Sequence, residues 1–423
     1  MLHLLLLAAL SLLAQVPSFS PALAEHPAMR NAFAEVDARA SQIEREWITL
    51  TEIPAPSKQE QPRIEYMKKA MARIGLTNIE QDTIGNVWGT LKGTGGGPQL
   101  VFAAHMDTVF PLDTQIKVRE ENGRYHAPSI GDDTGALVAL LHAFDILRLQ
   151  NIRPKGDVMF LATVQEEIGL LGAKFWLEHR EQKPDLFVAV DSRLGSVSYG
   201  ALLIEQYRFL FEGPTMHTLA SRGNANASRG AARFILALND MEMPPSAPGG
   251  NPALPVANVG TLGGGTVVNA TPGQVFVTVD IRSQQPQTEQ LLVEQVKTLA
   301  QRAANQERLT LRIENINLIH DYSKALPKDV RLNHPLVQTT LAVTDYLRLN
   351  GTNKTLPADS GSDDHNIGVA LGIPSIGIGA IIGHAAHSTG ESADKASILR
   401  GTKYLILLTT ALAGWDYRPA PQK

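Results

Sequence analysis

Two histidines and three acidic residues lie in short segments that end a predicted buried strand or form the loop after one. In chain order they are His105, Asp132, Glu167, Asp191 and His387. Imidazole nitrogens and carboxylate oxygens are the ligands that a pair of borderline-soft divalent cations such as Zn²⁺ prefers. Cysteine is absent from the chain, so histidine and carboxylate must hold any transition metal. The sequence therefore predicts a site for two metal ions.

Neighbouring residues extend this prediction, and simpler interpretations stand beside it. Asp107, two residues after His105, points to the same side of an extended segment and can hold the second ring nitrogen of the histidine. Glu166 and Glu167 are adjacent, so one can bind metal while the other faces the substrate. Two adjacent acids are also common on solvated loops. Asp132 precedes a predicted helix, where an aspartate commonly caps the first turn.

The elements that must position these residues follow an α/β pattern. Buried strands are predicted at 100–104, 158–162 and 186–190, and helices at 134–149 and 170–180 lie between them. Strands that alternate with helices indicate a domain with a largely parallel sheet, and ligands of such a sheet gather at the carboxyl ends of its strands. Further helices are predicted at 30–50, 60–74 and 335–349, and a strand at 374–379.

The pattern changes in the middle of the chain. The predicted elements there are strand 206–212, helix 226–239, strands 255–262 and 274–282, helix 286–304 and strand 308–316. This β-α-β-β-α-β order is the split βαβ arrangement. A chain of 423 residues also exceeds a comfortable single core. We therefore predict a metal-binding catalytic domain at 25–201 and 321–423, interrupted by an inserted domain at 202–320.

Composition bounds the partners and the location. The net charge of −4 gives no case for binding nucleic acid or an anionic membrane. Leu2 to Leu13 is almost unbroken apolar sequence, and Ala22-Leu23-Ala24 resembles a cleavage site, so residues 1–24 are predicted to be a signal peptide and Glu25 the mature start. The usual Lys or Arg at the front is missing, and an uncleaved anchor is the alternative. The protein is expected to be exported, either periplasmic or secreted, and free of the membrane after processing.

The ordered segments carry a family resemblance. They are His105-Met106-Asp107, Gly131-Asp132-Asp133-Thr134-Gly135, Glu166-Glu167, Val190-Asp191-Ser192 and His387-Ser388. In this order they resemble the co-catalytic zinc metallopeptidase family of aminoacylase, glutamate carboxypeptidase and tripeptide aminopeptidase, over nearly the whole chain after the first fifty residues or so. In that family a ferredoxin-like inserted domain forms a lid and often a dimer interface, so a homodimer is expected.

The resemblance also implies roles for the segments. It makes Asp132 the carboxylate that bridges both metals, Asp191 and His387 the terminal ligands, Glu167 a ligand and Glu166 the general base. The family frequently has Lys at the position of Thr134, and this departure leaves the carboxylate untouched. His384 competes with His387, which is preferred because the family's ligand is followed by a small polar residue.

The resemblance further identifies substrate-binding candidates. His217 resembles a family histidine that reaches the active site of a neighbouring subunit and stabilises the oxyanion, although an ordinary loop histidine is the alternative. Asn269 resembles a substrate-contacting asparagine. Arg282, at a predicted strand end, could bind a carboxylate bidentately or remain solvated. The Gly361-Ser362-Asp363 segment resembles a loop that lines the pocket.

The expected function is hydrolysis of an amide bond with two divalent ions, Zn²⁺ first and Co²⁺ or Mn²⁺ as alternatives. The resemblance implies an exopeptidase for small peptides, with Asp107 and Glu166 as catalytic residues. An N-acyl amino acid deacylase is the competing enzyme, and the His105–Val109 segment together with the predicted export favours the peptidase. A non-catalytic binding protein on the same scaffold would have lost a ligand or the base, and neither is lost here.

Overall fold

The structure is a computed structural model that describes residues 18–246, 251–316 and 322–417. The chain divides into two compact units. The first unit is formed by the residues up to Ala201 and from Tyr322 onward, and the second is Leu202–Asp321. The apolar run of the predicted signal peptide, Leu2 to Leu13, lies outside the described residues.

The first unit begins with helices and then forms most of a large sheet. Its elements before residue 202 are α1 (Pro21–Glu25), α2 (Pro27–Ala38), α3 (Ala40–Thr51), α4 (Gln61–Arg73), β1 (Thr77–Gln81), β2 (Val87–Leu91), β3 (Leu100–His105), β4 (Arg119–Glu121), β5 (Arg124–His126), α5 (Thr134–Leu149), β6 (Ile152–Pro154), β7 (Val158–Thr163), α6 (Leu171–His179), β8 (Leu186–Arg193) and β9 (Val197–Ser198).

The remaining elements belong to the second unit and then to the end of the first. The second unit contains β10 (Leu203–Glu212), a 3₁₀ turn (Thr218–Ala220), α7 (Ala227–Asn239), β11 (Val256–Gly264), β12 (Gln274–Ser283), α8 (Pro286–Gln306) and β13 (Thr310–Asn315). The first unit resumes with α9 (Lys328–Asn333), α10 (Pro335–Tyr346), α11 (His365–Ala370), β14 (Ser375–Ile381), β15 (Gly383–His384), β16 (Ser392–Asp394), α12 (Ser397–Ala413) and β17 (Trp415–Tyr417).

The large sheet has the strand order β1-β2-β7-β3-β8-β14-β9 and is mixed. Its four central strands, β7, β3, β8 and β14, run parallel, and the strands outside them are antiparallel to their neighbours. Every residue of β3, β7 and β14 is buried, as expected for strands covered on both faces. The carboxyl ends of parallel strands meet at one edge of the sheet, and that edge carries the candidate site.

Two largely buried helices, α5 and α12, pack against each other and against β14. Gly401 of α12 allows the closest approach, because a Cβ atom there would lie 1.8 Å from the carbonyl oxygen of Ala380. The sheet and its helices therefore form a tightly packed support for the loops at the sheet edge.

In the second unit, the four-stranded sheet β11-β12-β10-β13 is antiparallel throughout. Its strands alternate between a buried face and a more exposed one, as β12 does with Val275, Val277, Val279 and Ile281 buried. Helices α7 and α8 supply the other side of this core with Phe234 and Val296 among others. The elements of this unit follow the order strand, helix, strand, strand, helix, strand.

Several features differ from the sequence prediction, and two of them are informative. The predicted helix at 30–50 is two helices, α2 and α3, which meet at Arg39 because the backbone there leaves the helical range (φ −95°, ψ 7°). A second small sheet, β15-β16-β5-β4, was not predicted, since its strands are only two or three residues long. Among the described residues, we find no helix that combines the length and the hydropathy of a membrane span.

Candidate metal centre

The candidate ligands lie where the central strands end. His105 is the last residue of β3, Glu166 and Glu167 come three and four residues after β7 ends at Thr163, and Asp191 lies near the end of β8. The neighbouring β3, β7 and β8 are parallel, so these residues arrive at the same edge of the sheet. Asp132 and His387 come from loops.

The first group of candidate ligands is His105, Asp132 and Asp191, which can each offer one ligand atom within 4.8 Å of the others. His105 Nε2 lies 2.8 Å from Asp132 Oδ1 and 3.8 Å from Asp191 Oδ1. The histidine is buried, whereas both carboxylates are partly exposed. This group is open on one side to solvent.

The second group is Asp132, Glu167 and His387, again with ligand atoms within 4.8 Å of one another. His387 Nε2 lies 2.9 Å from Glu167 Oε2 and 3.2 Å from Asp132 Oδ2. Asp132 thus turns one carboxylate oxygen to each histidine and belongs to both groups. The competing His384 faces elsewhere, with its Nε2 3.1 Å from Asp394 Oδ1.

Asp107 connects the first group to the glutamate pair. Its carboxylate accepts hydrogen bonds from the Ser57 hydroxyl (2.7 Å) and from the backbone amides of Glu166 (3.0 Å) and Glu167 (3.2 Å). His105 Nδ1 lies 3.0 Å from the backbone carbonyl of Asp107 and 3.4 Å from its Oδ1. The predicted role of holding the histidine is therefore shared with the backbone, and the carboxylate mainly fixes the turn that carries both glutamates.

Glu391 is a positioning residue that the sequence did not reveal. Its buried carboxylate accepts hydrogen bonds from three backbone amides of the loop that presents Asp132: Ser129 (2.8 Å), Gly131 (2.6 Å) and Asp132 itself (3.0 Å). Burial raises the pKa of Glu391 to about 7, and these amides oppose the shift. Its only sequence signal is its place four residues after His387, in the same loop.

Arg63 is a second positioning residue that sequence reasoning missed. Helical spacing places it on α4, yet its side chain is completely buried. Its guanidinium donates to the backbone carbonyls of Ile53 (2.9 Å) and Met106 (2.7 Å) and to the Ser129 hydroxyl (3.2 Å). It therefore ties the segment after His105 to the loop that Glu391 also holds.

The predicted Gly361-Ser362-Asp363 segment leads to a buried acid beside the site. His365 Nε2 lies 2.7 Å from the carbonyl oxygen of Gly200, and its Nδ1 contacts Asp363. Asp364 accepts a hydrogen bond of 2.6 Å from Thr163 at the end of β7. Burial raises the pKa of Asp364 to about 7. Asp364, which was not singled out from the sequence, thus adds a further carboxyl group behind the strand ends.

The electrostatics show an excess of carboxylates that cations would balance. Burial raises the pKa of Asp191 well above its usual value, and Asp133 and Asp132 add repulsion that His105 only partly offsets. Burial likewise raises the pKa of Glu166. A divalent ion bound beside these carboxylates would lower their pKa values.

The pKa values of the two histidines reflect the same excess of negative charge. The pKa of His105 is raised well above its usual value although burial opposes this, because Asp191 and other carboxylates surround it. Hydrogen bonds to Asp132 and Glu167 raise the pKa of His387 to about 10. Nitrogen and oxygen donors without sulfur suit Zn²⁺, Co²⁺ or Mn²⁺. The donor set and its charge therefore fit divalent ions.

A cavity of about 260 Å³ adjoins the two groups. Asp132, Asp191 and Glu391 line it. Arg193 and the loop at His384 also line it. Its size accommodates part of a small ligand next to the candidate metal ligands.

The other predicted residues lie in the second unit. His217 is exposed, and its Nδ1 accepts a hydrogen bond from the Leu219 amide (3.3 Å). The adjacent Thr218 amide donates to the carbonyl of Asn269 (3.0 Å), so the structure brings the His217 and Asn269 loops together. Arg282 lies near the end of β12, where its Nε donates to Asp280 Oδ2 (2.9 Å).

Fold and site together define a class: an α/β protein in which the ends of parallel strands carry two overlapping groups of histidine and carboxylate side chains that could hold metal ions. Comparison with known proteins agrees, because the model of Peptidase family M20/M25/M40 matches residues 101–411. The chain belongs to this family, and it is a hydrolase that acts on amide bonds.

Individual relatives share less than a third of their aligned residues with this chain. The uncharacterized protein YqjE of Bacillus subtilis is 28% identical over 61% of this chain and 71% of its own. Acetylornithine deacetylase of Myxococcus xanthus is 26% identical over 61% and 72%. The crystal structure of aminopeptidase PepT from Bacillus cereus has a TM-score of 0.63 at 21% identity, over 88% of this chain and 98% of that one. The chain is thus similar in sequence to a deacetylase and in fold to an aminopeptidase.

Proposed function

We propose that the protein is a di-zinc exopeptidase that hydrolyses small peptides. The observation that carries the proposal is that Asp132 belongs to two groups of candidate ligands at once, with His105 and Asp191 on one side and Glu167 and His387 on the other. A carboxylate that belongs to both groups would contribute to the binding of two neighbouring metal ions. Two divalent ions held there would supply Lewis-acid activation of a water molecule and of the scissile carbonyl.

The chain's own residues perform the proton transfer and the positioning. Glu166 accepts a proton from the attacking water and delivers it to the leaving amine. Asp107 holds the Glu166 amide and so fixes the base beside the ligand Glu167. Glu391 and Arg63 fix the loops that carry Asp132 and follow His105. Water would otherwise compete for each of these buried groups.

The second unit completes the mechanism in this proposal. His217, from the lid of a partner subunit in a homodimer, stabilises the developing oxyanion. Its Nδ1 accepts the Leu219 amide, which leaves the Nε2–H as the donor. Asn269 lies in the adjoining loop and contacts the substrate. The protein works outside the cytoplasm, after removal of residues 1–24.

An N-acyl amino acid deacylase is the second candidate. The similarity to acetylornithine deacetylase favours it, because the same site would hydrolyse an acyl amide. The two activities differ in the group on the acyl side of the scissile bond. In a peptidase substrate this group is an aminoacyl group, and in a deacylase substrate it is a simple acyl group. A panel of substrates that share the same leaving amino acid distinguishes them.

Metal removal tests the proposal. Dialysis against a chelator is expected to abolish hydrolysis of a dipeptide and tripeptide panel, and Zn²⁺ or Co²⁺ is expected to restore it at about two ions per chain. The measurement pairs elemental analysis with initial rates on the same sample. A His384→Ala variant serves as the control. Because His384 faces Asp394, this replacement should leave the metal content unchanged. Full turnover by metal-free protein would reject the mechanism.

A further inference from the structure

The chain leaves strand β7 through four consecutive backbone amides, 164–167, and each of them donates to a side-chain oxygen. The first donates to Asn86 Oδ1 (3.0 Å) and the second to Glu60 Oε1 (3.1 Å). The last two, which belong to the glutamate pair, donate to Asp107 (3.0 and 3.2 Å). Side chains from three separate segments therefore set the direction in which the chain leaves the strand.

Asn86 holds this part of the chain at both of its ends. The residue directly precedes β2 and is completely buried. Its Oδ1 accepts the Val164 amide (3.0 Å), and its side-chain nitrogen donates to the carbonyl of Gly172 (3.0 Å) in the first turn of α6. The two ends lie so close together that a Cβ atom on Gly172 would meet the Val164 carbonyl oxygen at 2.2 Å. One carboxamide thus closes the segment 164–172, which contains Glu166 and Glu167.

Asp82 sets the orientation of the Asn86 carboxamide. Asp82 Oδ2 accepts a hydrogen bond from the side-chain nitrogen of Asn86 (2.6 Å). Asp82 Oδ1 accepts the backbone amides of residues 84–86 (2.9–3.2 Å), so the aspartate is itself fixed by the turn that leads to β2. Both N–H bonds of the carboxamide are therefore donated, and its oxygen faces the Val164 amide.

The segment 164–172 needs such restraint because its backbone is strained. Gln165 (φ 55°) and Leu170 (φ 58°) adopt the left-handed conformation, although neither is glycine. Such conformations cost energy and persist only where the surrounding structure over-determines them. Within the segment, the amides of Gly169 (3.0 Å) and Leu170 (2.8 Å) donate to the Glu166 carbonyl. If its ends were released, the segment would relax towards common backbone conformations and move Glu166 with it.

We propose that Asn86 is a positioning residue for the general base: by closing the segment 164–172, it holds the Glu166 carboxylate where it can take a proton from the attacking water. The inference rests on the proposed function and adds a residue to it. Among the residues that the structure describes, the Glu166 carboxylate has neither a hydrogen bond nor an ion pair of its own. Its place therefore depends on the backbone that carries it. A displacement of about 1 Å can cost a reaction about 10²-fold in rate.

The test is a double-mutant cycle with the base, measured on the metal-loaded enzyme with a dipeptide that it hydrolyses. Asn86→Ala is expected to lower kcat about 10- to 100-fold, with KM within about 3-fold and metal content unchanged. In a Glu166→Gln background the same replacement should lower kcat less than about 3-fold, because the base through which it acts is already gone. Equal losses in both backgrounds, or no loss in either, would overturn the assignment.

Two further variants separate positioning from stability. Asp82→Asn removes an acceptor of the Asn86 carboxamide at a half-buried turn, and it should lower kcat about 3- to 10-fold with the same dependence on Glu166. Asn350→Ala is the matched control, since the Asn350 carboxamide also donates to a backbone carbonyl, that of Gly195 (2.8 Å). It should leave kcat as in the wild-type enzyme. A loss of kcat in Asn350→Ala equal to that in Asn86→Ala would contradict a specific role.

Hydrogen exchange measures the restraint independently of turnover. In Asn86→Ala, the backbone amides of the segment 164–172 should exchange about 10-fold faster or more, whereas those of β12 should exchange as in the wild-type protein. Unchanged exchange in the segment would overturn the proposal. If the wild-type enzyme with metals bound hydrolysed no peptide, or if Glu166→Gln were fully active, the proposed function would fail, whereas the exchange rates would still decide whether Asn86 holds this segment.

Discussion

The proposed mechanism gives separate roles to adjacent residues at the strand ends, and the clearest case is Glu166 beside Glu167. The Asp107 carboxylate accepts hydrogen bonds from both backbone amides and so fixes the turn that carries the two side chains. Glu167 Oε2 lies 2.9 Å from His387, within one group of candidate ligands. Glu166 belongs to neither group and is buried beside them. This division supports a ligand role for one residue and a base role for the other.

Replacing each glutamate by glutamine tests the division. Glu166→Gln keeps the size but removes the base, so the metals should stay bound while the rate falls about 10²-fold or more. Glu167→Gln should instead weaken metal binding, because an amide is a poorer ligand than a carboxylate. Metal content and kcat are measured for both variants, and Glu121→Gln on the exposed strand β4 is the control. An exchange of the two phenotypes would show that the roles are reversed.

The sequence predicted which segments come together at the candidate site but not the residues that hold them. The ligands lie in short motifs next to apolar strands, which a linear pattern can show. Glu391 and Arg63 act through backbone groups that are distant in sequence, such as Ser129 and Met106. Such contacts depend on how loops pack after folding, and hydrogen bonds to the backbone leave no signature in residue type. The left-handed backbone at His387 (φ 64°) is equally invisible in the sequence.

At the scale of elements, prediction succeeded where burial fixes the pattern. The central strands are continuous apolar runs because both of their faces are covered, and the predicted 100–104, 158–162 and 186–190 all lie within observed strands. It failed at 30–50, where helical periodicity continues across the break at Arg39. It also missed the small sheet with β5 and β16, whose pairing joins segments about 270 residues apart.

The N-cap of helix α10, His334, should make the stability of the protein depend on pH. His334 caps α10, where its Nδ1 accepts the Leu336 amide (3.1 Å), and burial lowers its pKa from 6.5 to about 4. The unfolded chain therefore takes up a proton near pH 6.5 that the folded protein binds only near pH 4. The contribution of neutral His334 to the free energy of unfolding is complete above pH 6.5. It is lost as the pH falls towards 4, by about 3 kcal/mol at most.

His334→Asn isolates this effect, because asparagine can accept the same amide but does not titrate in this range. Urea unfolding of both proteins at pH 7 and pH 4.5 is expected to show a smaller drop for the variant, by about 2–3 kcal/mol. His26→Asn is the matched control, since His26 caps α2 through the Ala28 amide but is less buried. The same pH dependence in His334→Asn and wild type would contradict the assignment.

At the scale of the whole molecule, the proposed export gives the protein two covalent forms. Cleavage before Glu25 would fall inside α1, Pro21–Glu25, and would leave α2 to begin the mature fold. Mass spectrometry of the protein from its native host is expected to find a mature N-terminus near Glu25 in an extracytoplasmic fraction. An intact Met1 in the cytoplasmic fraction would reject the proposal.

The role of the second unit in catalysis also belongs to this scale. In the proposed mechanism, the unit contributes to catalysis through His217. His217 is the only histidine between residues 202 and 319, and it lies in an exposed loop beside Asn269. Loss of one oxyanion donor typically costs about 2.7–4 kcal/mol in the transition state. His217→Ala is therefore expected to lower kcat by roughly 10²–10³-fold with unchanged metal content.

Mixing two inactive variants shows whether His217 acts across a dimer. If it does, a hybrid of one His217→Ala subunit and one Glu166→Gln subunit contains one intact composite site, because the unmutated histidine of the second faces the unmutated base of the first. Mixtures should then recover part of the activity after subunit exchange, while each variant alone stays inactive. Two inactive variants that never recover would indicate that each lid serves its own subunit. A fully active His217→Ala enzyme would remove this histidine from the mechanism and leave the oxyanion to the metal site.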